Sequence, residues 1–137
     1  MGEIREQVTL TNATDEDMAD RGILPPGHVR RVVVDAIVDT GAVRSVLPQH
    51  IVDQLGLRIR GRQVAQYGDG RSESVGVTSG VVFQCQARTT LEEALVLGTE
   101  VLIGQTVLEK LDLLADCAGR RLVPHPGRPN QPVSMVR

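Results

Sequence analysis

Asp39 directly follows the apolar run Ala36-Ile37-Val38 and opens the short motif Asp39-Thr40-Gly41-Ala42. A carboxylate at the end of a buried strand loses solvation, a cost carried only where the group is needed or is satisfied locally. Its neighbours suit a reactive site. Thr40 offers a hydroxyl, Gly41 lets backbone approach a ligand closely, and Ala42 keeps the floor small. Two such carboxylates held side by side share one proton, because like charges at that distance do not both ionise. The pair can activate a water as nucleophile, one acting as base and the other as acid. The local alternative is an aspartate that caps its own turn, common in Asp-x-Gly sequences.

Other reactive residue types do not converge. His28, His50 and His125 are scattered, so no metal site is expected, and no cofactor. Cys85 and Cys117 belong to no ligand-spaced cluster and read as small buried hydrophobes rather than a disulfide scaffold. Glu92-Glu93 reads as a solvated loop. The acidic stretch 12–22 reads as a solvated connection, lacking the spacing and glycine of a calcium loop. In Tyr67-Gly68-Asp69-Gly70 the Asp-Gly pair reads as a hairpin tip and not as a second acid, and Tyr67 reads either as a closing residue or as a half-buried strand residue.

The elements that must hold Asp39 are strands. Tyr67 and Phe83 are the only aromatics, so the core has to be built from Val, Leu, Ile and Ala, a composition that favours β structure. With 41% hydrophobic and 23% charged residues and a net charge of -2, the chain is neither disordered nor suited to nucleic acid. Its 137 residues make one domain that needs no disulfide or metal staple. No apolar leader or anchor is expected at the start, and Glu6 breaks a myristoylation pattern, so a cytoplasmic setting without membrane attachment is the expectation.

Along the chain, residues 4–11 alternate as an opening strand, and 29–38 read as a strand or strand pair covered on both faces. Residues 48–55 read as a short helix with Ile51, Val52 and Leu55 facing the core, stopped by Gly56. Residues 62–86 form a hairpin with Asp69-Gly70 at its tip. Short strands at 95–97 and 101–103 precede a second helix over 105–111, and a closing hairpin spans 111–123. An internal repeat emerges: Ala36 to Gly41 followed by the first helix parallels Val101-Leu102-Ile103-Gly104 followed by the second. Residues 1–123 form the domain, and the proline-rich stretch 124–137 reads as an extended tail.

Over residues 29–123 the sequence resembles the retroviral-type (retropepsin) and pepsin-like aspartic peptidases, as a small bacterial-type single-domain relative. The likeness rests on Ala36-Ile37-Val38-Asp39-Thr40-Gly41-Ala42 with Ser45-Val46-Leu47-Pro48 behind it. It rests also on Val101-Leu102-Ile103-Gly104-Gln105-Thr106-Val107-Leu108 as the second signature, and on Tyr67-Gly68-Asp69-Gly70 as the flap. It implies an all-β, closed acid-protease barrel with one or two short helices and a flap hairpin. Asp39 matches the catalytic aspartate, Thr40 the bracing threonine, and Gly41 the glycine whose carbonyl holds substrate backbone. Ala42 and the segment Tyr67, Gly68, Asp69 and Gly70 match substrate-binding positions.

One Asp-Thr-Gly implies a homodimer with an Asp39 from each subunit, hydrolysing a peptide or protein substrate. The alternative is a catalytically weak or inactive dimerisation or peptide-binding module. Retroviral enzymes place an aspartate and an arginine where this sequence has Val43 and Gln105, so their bracing ion pair is missing.

Overall fold

The computed structural model describes residues 3–137. Strand β1 (Ile4–Asn12) buries Ile4, Val8 and Leu10 and ends in Asn12. The Asn12 side chain caps helix α1 (Ala13–Asp20) by accepting the Asp15 N–H at 3.0 Å. The expected solvated connection is therefore a helix. Asp15 and Glu16 in its first turn complement the positive end of the helix, and so few of its residues are apolar that no 3.6-residue period announces it.

Strand β2 (Arg31–Val38) pairs antiparallel with β1 along its length, from Thr11↔Arg31 to Ile4↔Val38. It is not covered on both faces as its apolar run suggested. Ala36 and Val38 are buried, while Val33 is exposed. Strand β3 (Val46–Leu47) leads into helix α2 (Gln49–Leu55), which buries Ile51, Val52 and Leu55 and stops at Gly56 in the left-handed conformation, φ 63°. Strands β4 (Ile59–Gln66) and β5 (Ser72–Thr78) form the hairpin expected as the flap. The chain breaks at Ser79-Gly80 into a second hairpin, β6 (Val81–Cys85) and β7 (Arg88–Glu92).

Strands β8 (Leu95–Val96) and β9 (Leu102–Ile103) precede helix α3 (Gln105–Leu111), which stops at Asp112, again left-handed at φ 58°. Strands β10 (Leu113–Asp116) and β11 (Arg121–Pro124) close the domain as a separate two-stranded sheet. Beyond β11 the tail is tied back: Arg128 pairs with Asp112, and Arg88 donates to the carbonyls of Arg128 and Pro129. Among the described residues no helix is long and apolar enough to cross a membrane.

The main sheet runs β4-β5-β8-β3-β9-β2-β1-β6-β7. It corrects two expectations. The sheet does not close into a barrel, since β4 and β7 are its edges and do not pair with each other. Among the described residues three α-helices stand in place of one or two. The main core gathers β1, the end of β2, α2, β6 and α3 around Phe83, Leu10, Leu47 and Leu55. A satellite cluster of Val46, Val75, Val77 and Leu95, flanked by Ala65, Leu97 and Leu102, lies under the flap hairpin. Cys85 is buried, whereas Cys117 is exposed on the β10–β11 turn, against its reading as a core residue.

Candidate active site

Strand β9 is inserted between β2 and β3. It runs parallel to β2, with Ile37 opposite Leu102 and Val38 opposite Ile103, and antiparallel to β3, with Val46 opposite Leu102. The ladder continues one residue past β2, where the Asp39 N–H donates to the Ile103 carbonyl at 2.9 Å. Both repeated units thus meet at Asp39. The chain then turns tightly: the Ala42 N–H donates to the Asp39 carbonyl at 3.2 Å, and the Gly41 N–H donates to Asp39 Oδ1 at 3.0 Å. A side chain at position 41 would press on Asp39 Oδ1, the Cβ falling at 3.3 Å.

The turn-capping contact expected of a structural aspartate is therefore made. Yet Asp39 is half-buried rather than enclosed, and it lines a cleft of about 580 Å³. The sequence argument from a fully desolvated carboxylate is corrected to that extent: the strand that delivers Asp39 is buried at its end, but the carboxylate opens on the cleft.

The loop after Asp39 is held from below by the second unit. The Gln105 and Thr106 N–H groups at the start of α3 donate to the Ala42 and Val43 carbonyls at 2.7 and 3.1 Å. The Gly104 N–H donates to the buried Ser45 Oγ at 2.9 Å. Thr106 Oγ1 lies 3.0 Å from the Val43 carbonyl and 2.8 Å from Glu92 Oε1. A hydroxyl has one proton to give, and the Val43 carbonyl already receives the Thr106 N–H, so the hydroxyl serves Glu92. Burial pushes the Glu92 carboxyl up, but hydrogen bonds from Lys110 and Thr106 outweigh it and hold its pKa below the ordinary value. Glu92, read from sequence as solvated, is part of this support.

The cleft brings several predicted residues together. Asp39, Gly41 and Ala42 form one side and Tyr67 and Gly68 the flap side, with Val43, Arg44, Val46, Ala65, Leu95, Leu97 and Leu102 between them. Thr40 is exposed beside the cleft, and Asp69 and Gly70 lie at the hairpin tip outside its lining. At that tip the Asp69 carboxylate accepts from the Arg71 N–H and Nε at 3.0 and 2.7 Å, which lowers its pKa, and Gly70 adopts φ 91°. Tyr67 Oη hydrogen-bonds Glu73, which raises the phenol pKa, and the Arg71 guanidinium stands 4.9 Å from the ring centroid.

Asp39 is the one carboxylate among the residues lining this cleft. Among the described residues no three His, Cys, Asp or Glu side chains gather as metal ligands would. Sequence reading gave Arg44, Ser45 and Thr106 no role of their own. A cation two residues beyond Ala42, close to the motif, was the available signal for Arg44.

No protein-family model matches this chain, and no curated protein matches its sequence. Among solved structures it is similar to the retroviral protease-like domain of Ddi1 from Leishmania major. The TM-score is 0.59 at 18% identity, covering 92% of this chain and 90% of that chain. The similarity is one of fold, and the fold is retropepsin-like.

Proposed function

We propose that the chain is one subunit of a homodimeric aspartic endopeptidase. The carrying observation is that two interlocked strand-turn-helix units present a single carboxylate, Asp39, into a cleft faced by Tyr67 and Gly68 of the flap hairpin. One carboxylate per cleft is half of the proton-sharing pair that activates water, so a second copy completes it across a two-fold axis. The ionised Asp39 takes a proton from water as its oxygen bonds to the scissile carbonyl carbon, while the protonated Asp39 gives its proton to the carbonyl oxygen. In the second step a proton passes to the leaving nitrogen as the C–N bond breaks.

The peptide lies extended against the flap hairpin, whose strand β4 is a free sheet edge suited to an added strand. In this reading Thr40 braces the pair through the partner's loop, Gly41 and Ala42 hold substrate backbone, and Asp69 and Gly70 form the moving tip. A reducing, cytoplasmic setting suits the two free thiols.

The test is peptide cleavage followed by mass spectrometry. The Asp39→Asn protein keeps an oxygen acceptor for the Gly41 N–H and so keeps the turn. It is expected to lose about 10²–10⁴-fold or more of the rate, and cleavage at an undiminished rate would sink the proposal. A non-catalytic peptide-binding or dimerisation module is the second reading, favoured by Val43 and Gln105 standing where an ion pair would brace a dimer. A dimer whose Asp39 carboxylates stand too far apart to share a water would select it.

A further inference from the structure

Arg44 is a cation whose contacts within the chain are all long ones. The residues from Arg44 to Leu47 alternate: Ser45 and Leu47 turn into the interior, while Arg44 and Val46 line the cleft that holds Asp39. Val46, Leu95, Leu97 and Leu102 make the neighbouring wall aliphatic, and apart from Tyr67 no aromatic residue lines it. Arg44 is the only cationic side chain in that lining.

Its hydrogen-bond partners within the chain are held at long range, and the nearby Glu92 carboxylate, which feels the Arg44 charge, is itself engaged by Lys110 and Thr106. Nη1 reaches Gln63 Oε1 at 3.4 Å, Nη2 reaches the Glu93 carbonyl at 3.4 Å, and Nη2 stands 3.9 Å from Glu93 Oε1. The Glu93 carboxylate has a nearer cation, Arg60. A guanidinium carries five N–H donors in a planar fork, and charge-assisted bonds to carboxylates close to well under these distances. The Arg44 side chain is 29% exposed, so it is partly withdrawn from water while retaining access to the cleft.

We infer that the cleft selects extended peptides carrying an aliphatic side chain and, within two positions of it, an acidic one, with Arg44 receiving the acid. This rests on the cleft being a peptide site, as proposed above. The aliphatic side chain lies against Val46, Leu95 and Leu102, while the carboxylate takes the N–H groups that Gln63 and Glu93 hold only loosely. Two copies about a two-fold axis would present one Arg44 on each side of the Asp39 pair.

The test uses the Asp39→Asn protein, so that binding is read without turnover. Fluorescence anisotropy follows blocked, extended aliphatic peptides in which one Glu is scanned around a central Leu, each against its Gln isostere. At one position the Glu peptide is expected to bind about tenfold tighter than the Gln peptide, a margin that shrinks as salt rises. Arg44→Met in the same background is expected to abolish that margin, and Arg44→Lys to keep part of it.

Equal affinity for Glu and Gln at every position overturns the inference, and that comparison needs no change at Arg44. A margin that survives Arg44→Met also overturns it. A Glu preference in a protein that, with Asp39 intact, cleaves neither peptide leaves the inference standing and removes the peptidase reading. Equal cleavage of both does the reverse.

Discussion

Position 104 tolerates no side chain. A Cβ there would lie 2.6 Å from the backbone C and O of Arg44 and 3.0 Å from the Ser45 nitrogen, and backbone cannot swing aside as a side chain can. Gly104→Ala is expected to cost about 1–3 kcal/mol in urea denaturation and to displace the loop that carries Asp39. Gly68, in the flap, has nothing within 4 Å of a built Cβ and no positive φ. Gly68→Ala should therefore stay within about 0.5 kcal/mol of the parent. The two thiols differ in the same physical way. Burial pushes the Cys85 thiol up to about 11, whereas Cys117 is exposed. A thiol reagent at pH 8 should modify Cys117 alone in the native protein and both residues in denaturant; rapid native labelling of Cys85 would contradict the packing described.

At the scale of elements, Asn12 links three of them. It ends β1, caps α1 through its oxygen, and donates its amide nitrogen to the Leu55 carbonyl at the end of α2, at 2.9 Å. Asn12→Ala removes the cap and orphans a buried carbonyl, with an expected loss of about 2 kcal/mol. Asn12→Asp keeps the acceptor but not the donor, so it should fall between the two.

The same region carries an acid dependence. Hydrogen bonds from the Arg30 side chain outweigh burial and hold the Asp15 carboxyl below its ordinary value. Its contribution is present above the ordinary carboxylate range, near pH 4, and is lost as pH falls through the lower folded-state value. Asp15→Asn should flatten that limb of the stability curve below about pH 4.

What the sequence made legible follows from range. The two helices that flank the site were readable because each is short and apolar on one face, the first also stopped by Gly56, and the turn at Asp39 was readable because its glycine and apolar strand are adjacent. Helix α1 was hidden because it has no apolar stripe. The role of Glu92 was hidden because its partners, Thr106 and Lys110, lie 14 and 18 residues away. Arg44 had its signal beside the motif, but its importance depends on Arg60 occupying Glu93, a relation that no local pattern encodes.

Taken as a molecule, the chain presents an open sheet and one cleft carboxylate, which the proposed homodimer would pair with a second. Cleavage activity is expected to fall faster than in proportion as the protein is diluted, with the loss tracking dimer dissociation in sedimentation experiments. Strict proportionality down to a fully monomeric preparation would contradict the dimeric site. The tail is latched independently of any partner. The Arg128 guanidinium, seconded by the Val133 N–H, holds the Asp112 carboxyl well below the usual carboxylate range. The latch is thus present throughout the ordinary carboxylate range and is lost only as pH falls through the much lower folded-state value. Limited proteolysis at pH 4 should spare the region around Arg128, and Arg128→Ala should expose it to cleavage.

The insertion of β9 between β2 and β3 also sets a timetable. Residues 37 and 102 must meet before the Asp39 turn has its support, a long-range closure of the kind that slows folding. On a ribosome, Asp39 emerges ahead of both hairpins and waits through their synthesis until Ile103, Gly104 and the first turn of α3 follow it out. A nascent chain therefore has no formed cleft until residues 102–106 have followed Asp39 out, and one ending before Leu102 would lack the ladder under the Asp39 turn however much of its sheet had paired.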